Sequence, residues 1–193
     1  MLSRGVVTMP GHCDLLPSET FGNHLVDDAT LVIKHAGPWD LLIAHPPCTY
    51  LTNSGVRWLY KGGRQENGRD EQRWHDMALA ARFFKTMLNA PIPRICVENP
   101  IMHGYARELI EADPTQIIQP WHFGHGETKA TGLWLKNLPK LVPTNIVEGR
   151  APRVHYASPG PDRWKERSRT MTGIAAAMAD QWGSLDDIAE AAE

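Results

Sequence analysis

Two polar tips in the chain carry the residue types best suited to covalent chemistry. The first lies in residues 39–54, WDLLIAHPPCTYLTNS, where the apolar run Leu41–Ala44 stops at His45, Pro46, Pro47 and Cys48. Two prolines cannot continue a central ladder and they fix the backbone that follows, so this pattern predicts a buried parallel strand opening into a rigid loop. Ligands of open α/β sheets sit outside the carboxyl ends of the strands, which sets the Cys48 thiol where chemistry rather than packing occurs. A thiolate held there can add to an electron-poor carbon; the competing reading is a buried, inert cysteine. The second tip is Glu98-Asn99-Pro100, which ends the short apolar run at residues 94–97. A carboxyl in that position can hydrogen-bond the ring nitrogen and exocyclic amine of a heterocycle. A thiol and a carboxyl on adjacent strand tips are what activation of a pyrimidine at C6 requires.

The elements that must hold these tips alternate along the chain. Between them, Trp74, Met77, Ala78, Ala81, Phe84 and Leu88 recur at spacings of three and four, which predicts a helix over about 69–89 with one buried face. The polar, glycine-rich residues 61–68 before it read as a mobile connection and a lid candidate. After the second tip, 103–112 reads as a helix with Tyr105, Leu109 and Ile110 inward, followed by strands at 116–119 and 131–135. Residues 173–182 read as a helix burying Ile174, Ala177, Met178 and Trp182. Ser184 and Asp187 resemble a capping box for a short acidic terminal helix. Ahead of the first tip, residues 5–8 are β-prone, Asp14 stands at what reads as a strand end, and the apolar run 29–33 suits a short helix or an irregular strand. This alternation argues for a mostly parallel α/β sheet flanked by helices, in one domain over 1–183.

Bulk composition narrows the partners. The 193 residues are 42% hydrophobic and 22% charged, ordinary for one globular domain. The formal net charge of -2 offers no global attraction for nucleic acid, so such binding needs a local patch. Residues 148–170 supply one, with Arg150, Arg153, Arg163, Lys165, Arg167 and Arg169 against Glu148, Asp162 and Glu166. The absence of a membrane-length apolar run or a signal pattern leads to the expectation of a soluble, cytoplasmic protein. Cys13, Cys48 and Cys96 lie at wide spacings that suit free thiols rather than a disulfide framework or zinc ribbon. The histidines, including His12, His35, His45, His103, His122 and His125, match no standard zinc spacing and read as surface or hydrogen-bonding residues.

The motifs together resemble a known family. The PPC of Pro46-Pro47-Cys48 and the VENP of residues 97–100 are similar to the nucleophile and glutamate motifs of the DNA (cytosine-5)-methyltransferases. AHPPCTYLTNSG, VENPIMHGYA, IQPWHFGHGETKATGLWLKNLP and RSRTMTGIAAAMADQWG occur in the order of a compact, bacteriophage-type branch of that family, and the resemblance spans residues 13–183. It implies a Rossmann-like fold, with Cys48 as the nucleophile on cytosine C6 and Glu98 binding N3 and the 4-amino group. Asn99 and Pro100 would shape the glutamate loop, and Pro46 and Pro47 would hold the cysteine. DNA is the implied partner, and S-adenosylmethionine the implied methyl donor. Asp14, Pro46 and Gly173 would border that cofactor, the last because the closing motif packs back on the first strand.

Two departures qualify the resemblance. The family's arginine-bearing QxRxR is replaced by PWHFGHGETK, so Gln119 and Lys129 stand in as substrate-binding residues alongside Arg167 and Arg169. The glycine turn that should cradle S-adenosylmethionine is not in the chain; with Asp14 in the acidic position, its spacing falls before Met1. Either the fold is N-terminally incomplete or the cofactor is not used conventionally. Only the basic loop is available in place of a large recognition domain, so weak sequence discrimination is expected, with Trp121, Trp134 or Trp164 free to stack on a base. Two other readings stay open: an inactive relative serving as a nucleic-acid- or protein-binding module, and an enzyme acting on free pyrimidine nucleotides.

Overall fold

Capping and side-chain alternation set the element boundaries. The computed structural model describes residues 11–18, 22–156, 160 and 171–183. The chain, expected as one domain over 1–183, divides into two compact units, Met1–Asp40 and Leu41–Glu193. In the first, β1 (His12–Asp14) and β2 (His24–Val26) pair in parallel and α1 spans Ala29–His35. The run at 29–33 is helical because the Asp28 carboxylate accepts from the Thr30 backbone N–H at 2.7 Å and from its hydroxyl at 2.6 Å, capping the first turn. Those same bonds hold the Asp28 carboxyl below its usual range. The β-prone residues 5–8 lie outside the described residues.

The second unit is built on a four-stranded sheet: β3 (Leu41–Ala44), β4 (Arg94–Pro100), β5 (Gln116–Ile118) and β6 (Thr131–Lys136), in the order β3-β4-β6-β5. β3 and β4 are parallel, with Ala44 opposite Val97. β6 is antiparallel to both β4 and β5, so this sheet is mixed. β3, β4 and β5 therefore all run the same way, and their carboxyl ends open on one edge. β3 lies at a sheet margin, and Leu41, Leu42 and Ile43 are only partly buried rather than fully enclosed.

Helices cover both faces. α2 (Glu71–Leu88) buries Met77, Ala81, Phe84 and Met87, and Phe84 meets Trp134 of β6 edge-on with ring centroids 4.9 Å apart. Ala78, expected inward, is exposed, because the stripe centres on 77, 81 and 84 and Met87 extends it. On the opposite face, α4 (Thr172–Trp182) buries Ile174, Ala177, Met178 and Trp182 against Cys96, Ile118, Phe123, Leu133 and Leu141, as its spacing predicts. α3 (Gly104–Ile110) buries Ala106 and Ile110; Leu109 is exposed, since seven residues offer too narrow a stripe for all three expected side chains. The acidic segment from 184 lies outside the described residues. Among the described residues, no helix is long and apolar enough to cross a membrane.

Asp70 begins α2, its carboxylate accepting from the Arg73 backbone N–H at 3.2 Å. Asp70→Ala is expected to cost about 1 kcal/mol, read as a lower midpoint in urea unfolding with an unchanged slope.

Candidate active site at the carboxyl edge of the sheet

The parallel register builds this site. With Ala44 opposite Val97, the next residues along, His45 and Glu98, stand side by side where the pairing of β3 with β4 ends. Their side chains meet, His45 Nδ1 lying 2.6 Å from Glu98 Oε2. One residue on, Asn99 turns to the other face and is buried, and its Nδ2 donates to the Pro46 carbonyl at 2.9 Å. The backbone of the Pro46-Pro47-Cys48 loop is thus tied to the tip of β4. Asn99 Oδ1 is buried with no hydrogen-bond partner, a second acceptor at this tip.

The chain beyond Cys48 is equally constrained. The Cys48 carbonyl accepts from the N–H groups of Leu51 and Thr52 at 3.0 and 3.1 Å, closing a tight turn. Leu51 is fully buried, and Thr52 bridges antiparallel to Met102 in the segment that follows β4. His103 completes the lacing: its Nε2 reaches the Tyr50 carbonyl at 2.9 Å, and its Nδ1 accepts from the Ala106 N–H at 3.1 Å, capping α3. Those partners require a neutral ring protonated on Nε2. Burial, the larger influence, holds its pKa below the usual histidine range, opposed by the bond to Tyr50. The rigid loop expected around Cys48 is thereby accounted for in hydrogen bonds.

The thiols divide by environment. Cys48 is half-buried in this loop, whereas Cys96 is wholly buried in the core beneath α4. Burial, with a smaller contribution from the Glu98 charge, raises the Cys96 pKa far above the ordinary thiol range, so Cys96 is the inert cysteine.

The other expected site residues fall into three groups. Gln119 follows β5 at the same edge, and its Oε1 accepts from the Lys129 backbone N–H at 3.0 Å, so these two are brought together just before β6 begins. Asp14 is in the first unit, where its carboxylate accepts from the Leu16 N–H at 2.9 Å in a local turn. Arg167, Arg169 and Trp164 lie outside the described residues. Of the described cations in the basic stretch, Arg150 covers the Trp121 ring with its guanidinium 3.4 Å from the centroid, and Arg153 is 4.0 Å from buried Glu127. Trp134 is buried and donates to the Ala112 carbonyl at 3.0 Å, so it cannot serve as a stacking platform.

Gly173 has a packing reason to be glycine. A Cβ there would lie 1.9 Å from the Phe123 carbonyl oxygen, and its N–H donates to His125 Nε2 at 2.9 Å. The start of α4 is therefore filled by the chain itself, and Pro46 is buried with its carbonyl on Asn99. In the second unit, Pro46 and Gly173, both expected to border S-adenosylmethionine, are thus occupied by contacts within the chain.

No protein-family model matches the chain, and no curated protein matches it at a significant level.

Two features escaped the linear reading. His45 was one histidine among nine; its signal is positional, as the first residue past β3 when the VENP glutamate is the first past the matching length of β4. A cationic, aromatic surface also follows the Cys48 loop. Arg57 lies over Trp58, Arg69 over Trp74 and Arg73 over Tyr50, at 4.6, 4.1 and 5.1 Å from the ring centroids. The connection read as a mobile lid sits within it. Its base is closed, with Leu59 buried, Asp70 N–H on the Leu59 carbonyl at 2.9 Å and Tyr60 hydroxyl against Tyr105 hydroxyl at 2.9 Å. Gly62, Gly63 and Gly68 adopt φ of 64°, 72° and 80°, so these glycines serve turn geometry.

Proposed function

We propose that the chain acts on cytosine in DNA by the chemistry of the DNA (cytosine-5)-methyltransferases, with a Rossmann-like second unit whose reactive edge carries Cys48 and Glu98. The observation that carries this reading is the joining of two parallel strand tips. His45 touches Glu98 at 2.6 Å and Asn99 holds the Pro46 carbonyl at 2.9 Å, so the cysteine loop and the glutamate are parts of one rigid edge. In this reading the Cys48 thiolate adds to C6 while Glu98 engages N3 and the 4-amino group, and the target base leaves its stack to reach them. Binding energy spent on fixing this geometry lowers the barrier by pre-arranging the reacting groups.

S-adenosylmethionine belongs to the reading as the methyl donor that the family resemblance implies; addition at C6 does not depend on it. The cations on Arg57, Lys61, Arg64, Arg69 and Arg73, following the cysteine loop and outnumbering the carboxylates of Glu66, Asp70 and Glu71, favour a polyanionic substrate over a free pyrimidine nucleotide. Addition at C6 turns C5 into an enamine carbon, which exchanges its hydrogen with solvent. In deuterated water the protein is therefore expected to add one mass unit at C5 of cytosine in an oligonucleotide, with far less exchange into deoxycytidine monophosphate, and the DNA rate should fall steeply as salt rises. Equal rates on the two substrates would transfer the reading to free nucleotides. No exchange on either would remove it.

A further inference from the structure

We infer that His45 and Glu98 form one proton-sharing pair, and that His45 acts through Glu98 to supply the proton that N3 of an attacked pyrimidine must receive. This rests on the proposed addition at C6 and deepens it.

The contact between the two groups is at the short end for a charge-assisted N–H···O bond, Nδ1 to Oε2 being 2.6 Å. Side-chain exposure is 46% for His45 and 13% for Glu98, so the imidazole meets solvent while the carboxyl is largely sheltered. Among the described residues, the titratable or charged groups placed near this edge by the sequence include Cys48 on the loop after β3, Cys96 two residues back on β4, and Lys129 ahead of β6. From β6 itself an apolar residue, Leu133, stands opposite Glu98.

The chemistry gives such a pair a purpose. A carboxylate accepts from a 4-amino group but has no proton for N3. A free glutamate side chain is protonated only about 0.2% of the time near pH 7, whereas a free imidazole holds its proton about a quarter of the time. Sharing one proton across the contact lets the sheltered carboxyl draw on the imidazole's reserve. In the step, the Cys48 thiolate pair forms the Sγ–C6 bond, and the C5–C6 π pair moves to C4–C5. The C4–N3 π pair takes the proton from Glu98. The O–H electron pair stays on the carboxylate, leaving it beside a neutral imidazole; reversal of the addition returns the proton.

His45→Gln retains a hydrogen-bond donor for Oε2 but carries no titrating proton. In the full-length chain, C5 exchange on a cytosine-containing oligonucleotide is expected to fall about tenfold near pH 7, with the alkaline limb of its pH profile moved by about one to two units toward acid, the direction set by imidazole and carboxyl proton affinities. Independently, the ¹⁵N resonance of His45 Nδ1 is expected to move in Glu98→Gln, since the variant removes the charged acceptor 2.6 Å from that nitrogen. A His45→Gln rate and pH profile equal to wild type would overturn the inference by assigning His45 a positioning role alone. An unmoved Nδ1 resonance in Glu98→Gln would overturn the sharing itself. If the Nδ1 resonance moves but wild-type protein exchanges no C5 hydrogen, the pair is supported, while its role toward a pyrimidine falls together with the proposed function. Circular dichroism of both variants checks that each is folded.

Discussion

Serine at position 48 is expected to lower C5 hydrogen exchange on cytosine by at least about a thousandfold, to background, as loss of a nucleophile does in enzymes that use one. The argument is chemical and local. A thiol is ionised to a useful extent near neutrality, while a serine hydroxyl needs an adjacent base to take its proton. The imidazole nearest along the chain, His45, is engaged by Glu98. The exchange of sulfur for oxygen leaves the geometry in place, because the loop is held by backbone groups: the Cys48 carbonyl on the Leu51 and Thr52 N–H groups, and the Pro46 carbonyl on Asn99. Cys48 is only half-buried, so unfolding free energy should stay within about 0.5 kcal/mol of wild type. Glu98→Gln should lower exchange roughly 10²- to 10⁴-fold, the range for a removed general acid. Exchange in Cys48→Ser within tenfold of wild type would strip Cys48 of the nucleophile's role.

Gly173→Ala is expected to destabilise the protein by about 3 kcal/mol, at the upper end for overpacking. The cause is specific. The added methyl would be 1.9 Å from the Phe123 carbonyl oxygen and 3.1 Å from His125 Nε2, and the first of these is backbone that cannot rotate aside. Relief requires α4 to withdraw, which would loosen Ile174, Ala177, Met178 and Trp182 from the core they fill with Cys96 and Leu133. Thermal unfolding is expected to begin roughly 10 °C lower, given about 2–4 °C per kcal/mol for a chain of this size. A variant as stable as wild type would mean that packing is not what requires glycine here.

The end of β3 and the loop that carries Cys48 were legible in the residues. An apolar run that ends in Pro46-Pro47 leaves little choice about where the β3 ladder stops, whereas β4 runs on through Glu98, Asn99 and Pro100, paired with β6. α4 was legible for a related reason: Ile174, Ala177, Met178 and Trp182 repeat with the period of the helix that buries them. The direction of β6 was not, because alternation along residues 131–136 reads the same forwards and backwards, and only pairing decides it. Asp70, Asp28 and His103 act as helix caps, local devices whose partners lie two or three residues away. The pairing of His45 with Glu98 spans 53 positions and depends on register, which no local pattern encodes. Gly173 illustrates the reverse hazard, a glycine that motif order assigns to a cofactor and that steric contact explains unaided.

The strand order also bears on how the chain comes to be folded during synthesis. β5 pairs with β6 and with no other strand of its sheet, yet it emerges first, with Ile117 exposed even in the finished structure. Until residues 131–136 leave the ribosome, β5 has no ladder and β4 has one unfilled edge, so both present open edges to any other extended chain. Until β6 arrives, these open edges make the nascent chain one that a chaperone's shelter would help.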